Sequence, residues 1–116
     1  MKTMGMLFAA AALICATSAR AAADKKTERT WKAKCGSCHG NDGKAQTEKG
    51  KKEGVADMTT ADWQKKFTDA QIKEAIEKGV KKEEGGKTKK MEAYGGKLKP
   101  EQIDELVKHV RKLGGK

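Results

Sequence analysis

Cys35 and Cys38 are separated by two residues, and His39 follows at once; no other stretch of the chain concentrates so much potential chemistry. Two thiols at this spacing fall on one turn of helix, so both sulfurs reach the same edge of a flat prosthetic group. An imidazole in the next position reaches a metal on the face that the sulfurs have pinned. Cys35-Gly36-Ser37-Cys38-His39 is thus the C-x-x-C-H pattern of covalent haem attachment, with each thiol adding to a porphyrin vinyl group. Two other chemistries use the same residue types. A structural zinc site needs four ligands, and beyond the motif the chain after residue 23 offers no cysteine and one histidine, His109. A thioredoxin-like dithiol expects a βαβ setting, and no strand-like alternation is read anywhere in the sequence.

The elements that must hold the motif read as helices. Thr27, Trp31 and Cys35 recur at four-residue spacing, which predicts a first helix over Asp24–Cys35. Lys44–Asp57 has few apolar residues and reads as a loop. Thr60–Phe67 predicts a short helix. Thr68 with Gln71 three residues on forms a capping box, opening a helix that buries Ile72, Ala75 and Ile76 and stops at Gly79. Val80–Gly96 reads as a second loop. Pro100 suits a first helical turn, and Ile103, Leu106, Val107, Val110 and Leu113 make one stripe ending at Gly114-Gly115. The expected fold class is all-α, in one domain.

The N-terminus reads as an export signal over residues 1–23. Lys2 supplies the positive start, Met4–Ala16 is an apolar run, and small residues follow at Ala19-Arg20-Ala21 and Ala21-Ala22-Ala23. The run is shorter than the ~20 apolar residues of a spanning helix, so no stable membrane span is expected in the mature form. Cys15 belongs to this run; Ile14 before it is not the small residue that lipoprotein processing requires. Cleavage near Ala23 leaves a domain over 24–116, exported or periplasmic. Without Lys2 and Arg20, that domain keeps 24 of the 26 basic side chains against all 16 acids, a net charge of +8. Its Val, Ile, Leu and Phe residues number eleven in 93, well below the ~20% at which a highly charged chain tends to disorder. A domain this small is already marginal at burying surface. The polypeptide needs a large apolar group to complete its core, and one covalent haem c supplies it.

A second axial ligand has few sources. Met58 and Met91 are the only thioethers after residue 23. Met91 lies between Gly85-Gly86 and Gly95-Gly96, in a loop able to cross an open haem face, and methionine opposite histidine raises the potential of an electron carrier. Met58 reads more simply as an apolar gap-filler, and His109 as a packing residue at the edge of the last helix's stripe. Met91 is the expected ligand, with Met58, His109 and an open sixth position as alternatives.

From Lys25 to Leu113 the chain resembles the small bacterial monohaem cytochromes c of class I. The resemblance rests on Trp31, Cys35-Gly-Ser-Cys-His39-Gly40, Asp57-Met58-Thr59, Thr68-Asp-Ala-Gln-Ile72, Met91 with Tyr94-Gly95-Gly96-Lys-Leu98, and Pro100 to Leu113. It implies a few helices wrapped around one haem, the first and last crossing, with one haem edge exposed. It also implies thioether bonds from Cys35 and Cys38, iron ligation by His39 and Met91, and one-electron transfer without enzymatic activity. Three positions depart from the family pattern. Ala56 stands where a proline often offers its carbonyl to the ligand histidine, Thr27 and His109 occupy the helix crossing, and Glu92 replaces a common proline after the methionine.

Charge bears on partners. Lys87, Lys89, Lys90, Lys97 and Lys99 flank Met91, and Lys44, Lys49, Lys51 and Lys52 populate the earlier loop. Lysines keep a thin-cored protein soluble; those near Met91 also suit an acidic docking patch on a redox partner. Few aromatics and an export signal argue against nucleic acid, and a monomer is expected. The alternative function is a gas sensor or weak peroxidase with an open iron position.

Overall fold

Thr27, Trp31 and Cys35 are buried together along one side of the first helix and its end, as their spacing demands. That helix, α1 (Ala11–Lys34), belongs to a computed structural model that describes residues 11–115, with side chains from Ala19 onward. It starts well before the expected Asp24, and residues 19–23 are exposed along it. Met1–Ala10 of the expected export signal lies outside the described residues. Among the described residues no helix is long and apolar enough to cross a membrane.

Short elements follow, each opened by a local signal. The attachment motif forms α2 (Gly36–His39). Thr47 caps α3 (Glu48–Glu53) by accepting from Gly50 N–H, so the stretch expected as loop contains a helix. The short helix α4 (Ala61–Lys66) is capped by Thr60. The expected capping box of Thr68 and Gln71 opens α5 (Asp69–Lys78), which ends at Gly79. Pro100 occupies the first turn of α6 (Pro100–Leu113), and Lys99 N–H donates to Gln102 Oε1.

The all-α expectation needs one correction. Strands β1 (Val80–Glu84) and β2 (Lys87–Met91) form a two-stranded antiparallel sheet in the second stretch expected as loop. Gly85 and Gly86 both take positive φ (60° and 77°), which suits the tight two-residue turn whose twist matches paired strands. The ribbon lacks an apolar face of its own: apart from Val80 and Met91 at its base it consists of lysine, glutamate and threonine.

The core lies where α6 meets α1 and α5. Ile103, Leu106, Val107 and Val110 are buried along α6, facing Ile72 and Ile76 of α5 and Trp31 of α1. Like Thr27, Gln64 is a buried polar residue, 4% exposed. Its amide donates to Met58 O (2.7 Å) and Val110 O (3.0 Å), one of the carbonyls that α6's last turn leaves without a helical partner. Arg111 completes the bolt, donating to Gln64 O and Oε1, Phe67 O and Asp69 Oδ1 at 2.7–3.0 Å. α4 and the Met58 segment are thereby tied to the last helix.

Candidate functional site

The attachment motif is a helical turn set at an angle to α1. Cys35 N–H still donates to Trp31 O (2.8 Å), continuing α1. The chain then bends at Cys35 (φ −116°), and His39 N–H donates to Cys35 O (2.9 Å). Trp31 Nε1–H closes the bend by donating to Gly40 O (3.0 Å) across the motif. The motif's outer carbonyls are met from the next segment: Thr47 Oγ1–H donates to Ser37 O (2.8 Å), and Ala45 N–H to His39 O (2.8 Å). With its backbone fixed on both sides, the turn presents Cys35, Cys38 and His39 from one rigid unit.

Cys35 and Cys38 are free thiols. Burial pushes the Cys35 thiol up to about 11, against the opposing pull of Lys34, so it is protonated at neutral pH. Burial also lowers the His39 imidazole below its usual value, which keeps it neutral with a lone pair available to a metal. Its Nδ1 is buried with no hydrogen-bond partner, the Ala56 carbonyl included. His39 lies against Trp31, ring centroids 5.7 Å apart.

Met91 lies on a separate element, β2. It is half-buried and packs against the core cluster that contains Cys35, Trp31 and Met58. The base rung Val80↔Met91 holds it on one side. On the other, Tyr94 N–H and Gly95 N–H donate to Ile76 O (2.8 Å) and Glu77 O (3.0 Å) at the end of α5. Glu92, where a proline was expected to stiffen the loop, forms an ion pair with Lys97. Tyr94 itself is buried, and its hydroxyl donates to Lys34 O (3.0 Å), tying the methionine segment to the residue before Cys35. No local signal in the sequence marks this role of Tyr94, because its partner lies sixty residues away.

The alternatives are placed differently. Met58 is 5% exposed, with its N–H donating to Gly43 O and its carbonyl held by Gln64. His109 stacks against Trp31 at 5.1 Å, and its Nε2 is buried without a partner. Thr27 Oγ1–H donates to Ala23 O within α1, so the helix crossing is made by the His109 ring on Trp31 and not by a Thr27–His109 hydrogen bond.

The residues present fit a haem. Two free thiols and a neutral imidazole stand on one turn, and a thioether packs into the same cluster from another element. Each of the four groups is of a kind that haem attachment and iron ligation require.

Comparisons with known proteins agree. Residues 22–110 match the family described as cytochrome C oxidase, cbb3-type, subunit III. Six solved chains are similar to this one. One is the KustC0563 c-type cytochrome: TM-score 0.63 and 31% identity, covering 75% of this chain and 95% of that one. No curated protein matches.

Proposed function

Because the chain belongs to the c-type cytochrome family described as cbb3-type oxidase subunit III, and so carries covalent haem c for electron transfer, we propose that it is an exported one-electron carrier with His39 and Met91 as axial ligands. The bound group supplies a single iron that alternates between ferrous and ferric. This chain's residues do the rest. Cys35 and Cys38 fix the group by two thioether bonds, so its orientation is set by the rigid turn between α1 and α3. His39 gives a neutral imidazole from that turn. Met91 approaches from the segment held by the ribbon's base rung and the carbonyls of α5, and its soft sulfur favours the reduced state.

The observation that supports this reading is that half-buried Met91 packs against the core cluster containing Cys35 from a segment held by the ribbon's base rung and the α5 carbonyls, whereas Met58 lies buried within that cluster. Residues 1–23 are assigned to a cleaved export signal, consistent with extracytoplasmic haem attachment. Lysines near Met91 are assigned to docking on an acidic patch of a redox partner, a contact that weakens as salt rises. Ligation by both His39 and Met91 leaves no open iron position, which distinguishes this reading from the gas-sensor and peroxidase alternative. The test is the ferrous holoprotein under carbon monoxide at neutral pH: a carrier keeps its low-spin spectrum, and rapid stoichiometric carbon monoxide uptake would overturn the proposal.

A further inference from the structure

The ribbon's register places like charges face to face. Lys81 pairs with Lys90 and Lys82 with Lys89 on adjacent rungs, directly above Val80↔Met91. Adjacent rungs point to opposite faces of a ribbon, so the two lysine pairs are not equivalent. Lys89 is half-buried on the face it shares with Met91, and Glu84 neutralises it at 3.1 Å. Lys81 and Lys90 are both exposed on the opposite, outward face, and neither has an ion-pair partner among the described residues. Glu83 lies on that face one same-side rung further on, opposite Thr88, and does not bridge to them.

Cross-strand neighbours of like charge repel and weaken a ribbon, and an isolated two-stranded hairpin is marginal to begin with. On the outward face nothing compensates, since it carries no apolar pair and no ion pair. Two unneutralised ammonium groups side by side make a site for paired carboxylates. We infer that the Lys81–Lys90 rung is the docking point for an acidic segment of a partner protein, and that its occupation closes the ribbon over Met91. The outward face offers Lys81, Lys90, Glu83 and Thr88 but no apolar side chain to enter a bilayer, which favours an acidic protein over a lipid surface. Docking and ligation are then linked: whatever favours the paired ribbon favours Met91 at its base, and the coupling acts equally in both directions. This inference deepens the proposed docking on an acidic partner, and its second half rests also on the proposed ligation by Met91.

The test uses the holoprotein with poly-glutamate as probe, and reads two quantities. Amide hydrogen exchange over 80–91 reports ribbon closure, and the affinity for added imidazole reports how readily Met91 is displaced. Poly-glutamate should slow ribbon exchange by up to about five-fold, the factor that corresponds to relieving one like-charge cross-strand pair, and should weaken imidazole binding by a similar factor. Lys81→Thr with Lys90→Thr should slow exchange without the probe and abolish the response to it. Lys49→Gln with Lys51→Gln, on α3, should leave the response intact. Unchanged exchange in the wild type, or an equal response in the Lys81→Thr, Lys90→Thr variant, overturns docking at this rung. Protection by phosphatidylglycerol vesicles but not by poly-glutamate overturns the protein partner in favour of a membrane. Protected exchange with unchanged imidazole affinity overturns the coupling to Met91 while leaving the docking point in place.

Discussion

Replacing Gln64 with methionine probes how the α6 bolt supports the site. The two side chains have similar volume, so Gln64→Met keeps the packing and removes only polar contacts. Three hydrogen bonds disappear: those to Met58 O and Val110 O, and the one accepted from Arg111 Nη1. Each is worth about 1 kcal/mol net, and a buried acceptor left unpaired costs about 1–3 kcal/mol. Arg111 is only partly buried and recovers water, so the total comes to about 3 kcal/mol. That is a large share of the ~5–15 kcal/mol that holds a small domain folded. With a urea slope of about 2 kcal/mol per M, the unfolding midpoint of the holoprotein should fall by roughly 1.5 M. Arg111→Met should overlap with it, so the double variant should lose less than the sum of the singles. A midpoint shift for Gln64→Met below roughly 0.3 M, or strict additivity with Arg111→Met, would refute the bolt.

Other perturbations follow from single observations. Gly79 takes φ +73° with ψ −177°, a region costly to any side chain, and a Cβ there would meet Met91 O at 2.5 Å; Gly79→Ala should therefore destabilise the holoprotein by about 2 kcal/mol in urea titration and ease displacement of Met91. His109 titrates below its usual value of 6.5, chiefly through burial and despite the acids Glu28 and Asp24 nearby. The unfolded chain then binds the proton more readily than the native one, so His109's contribution is intact above about pH 6.5 and declines as pH falls through that value and below. His109→Phe should flatten this part of the stability profile between pH 7 and 5; identical pH dependence in both proteins would show that His109 is not its source. Without haem, a Cys35→Ala, Cys38→Ala double variant should show little amide protection, because eleven Val, Ile, Leu and Phe residues after Ala23 are too few to close a core.

What could be read in advance was whatever is written locally. The attachment turn depends on spacing within five residues, and the Thr68 cap and the first-turn Pro100 act within one turn of their helices. The α6 stripe announced its buried face through periodicity alone. The ribbon escaped because lysine on both faces hides the alternation by which a half-buried strand is recognised. Gly85-Gly86, which suits a flexible loop equally well, is the turn between the strands. α3 escaped for a related reason: its cap Thr47 is conventional, but the helix carries no apolar stripe. Gln64 and Arg111 could not have been singled out, since each finds its partners through tertiary packing more than forty residues away. The partner of His39 Nδ1 is not legible either: Ala56 stands where the family often has proline, and Nδ1 is unpaired.

The central claim is that Met91 completes the iron site begun by His39. The oxidised holoprotein should display the near-infrared sulfur-to-iron charge-transfer band, Met58→Leu should retain it, and Met91→Ala should lose it. An unchanged oxidised spectrum in Met91→Ala would contradict the account, as would loss of the band in Met58→Leu alone.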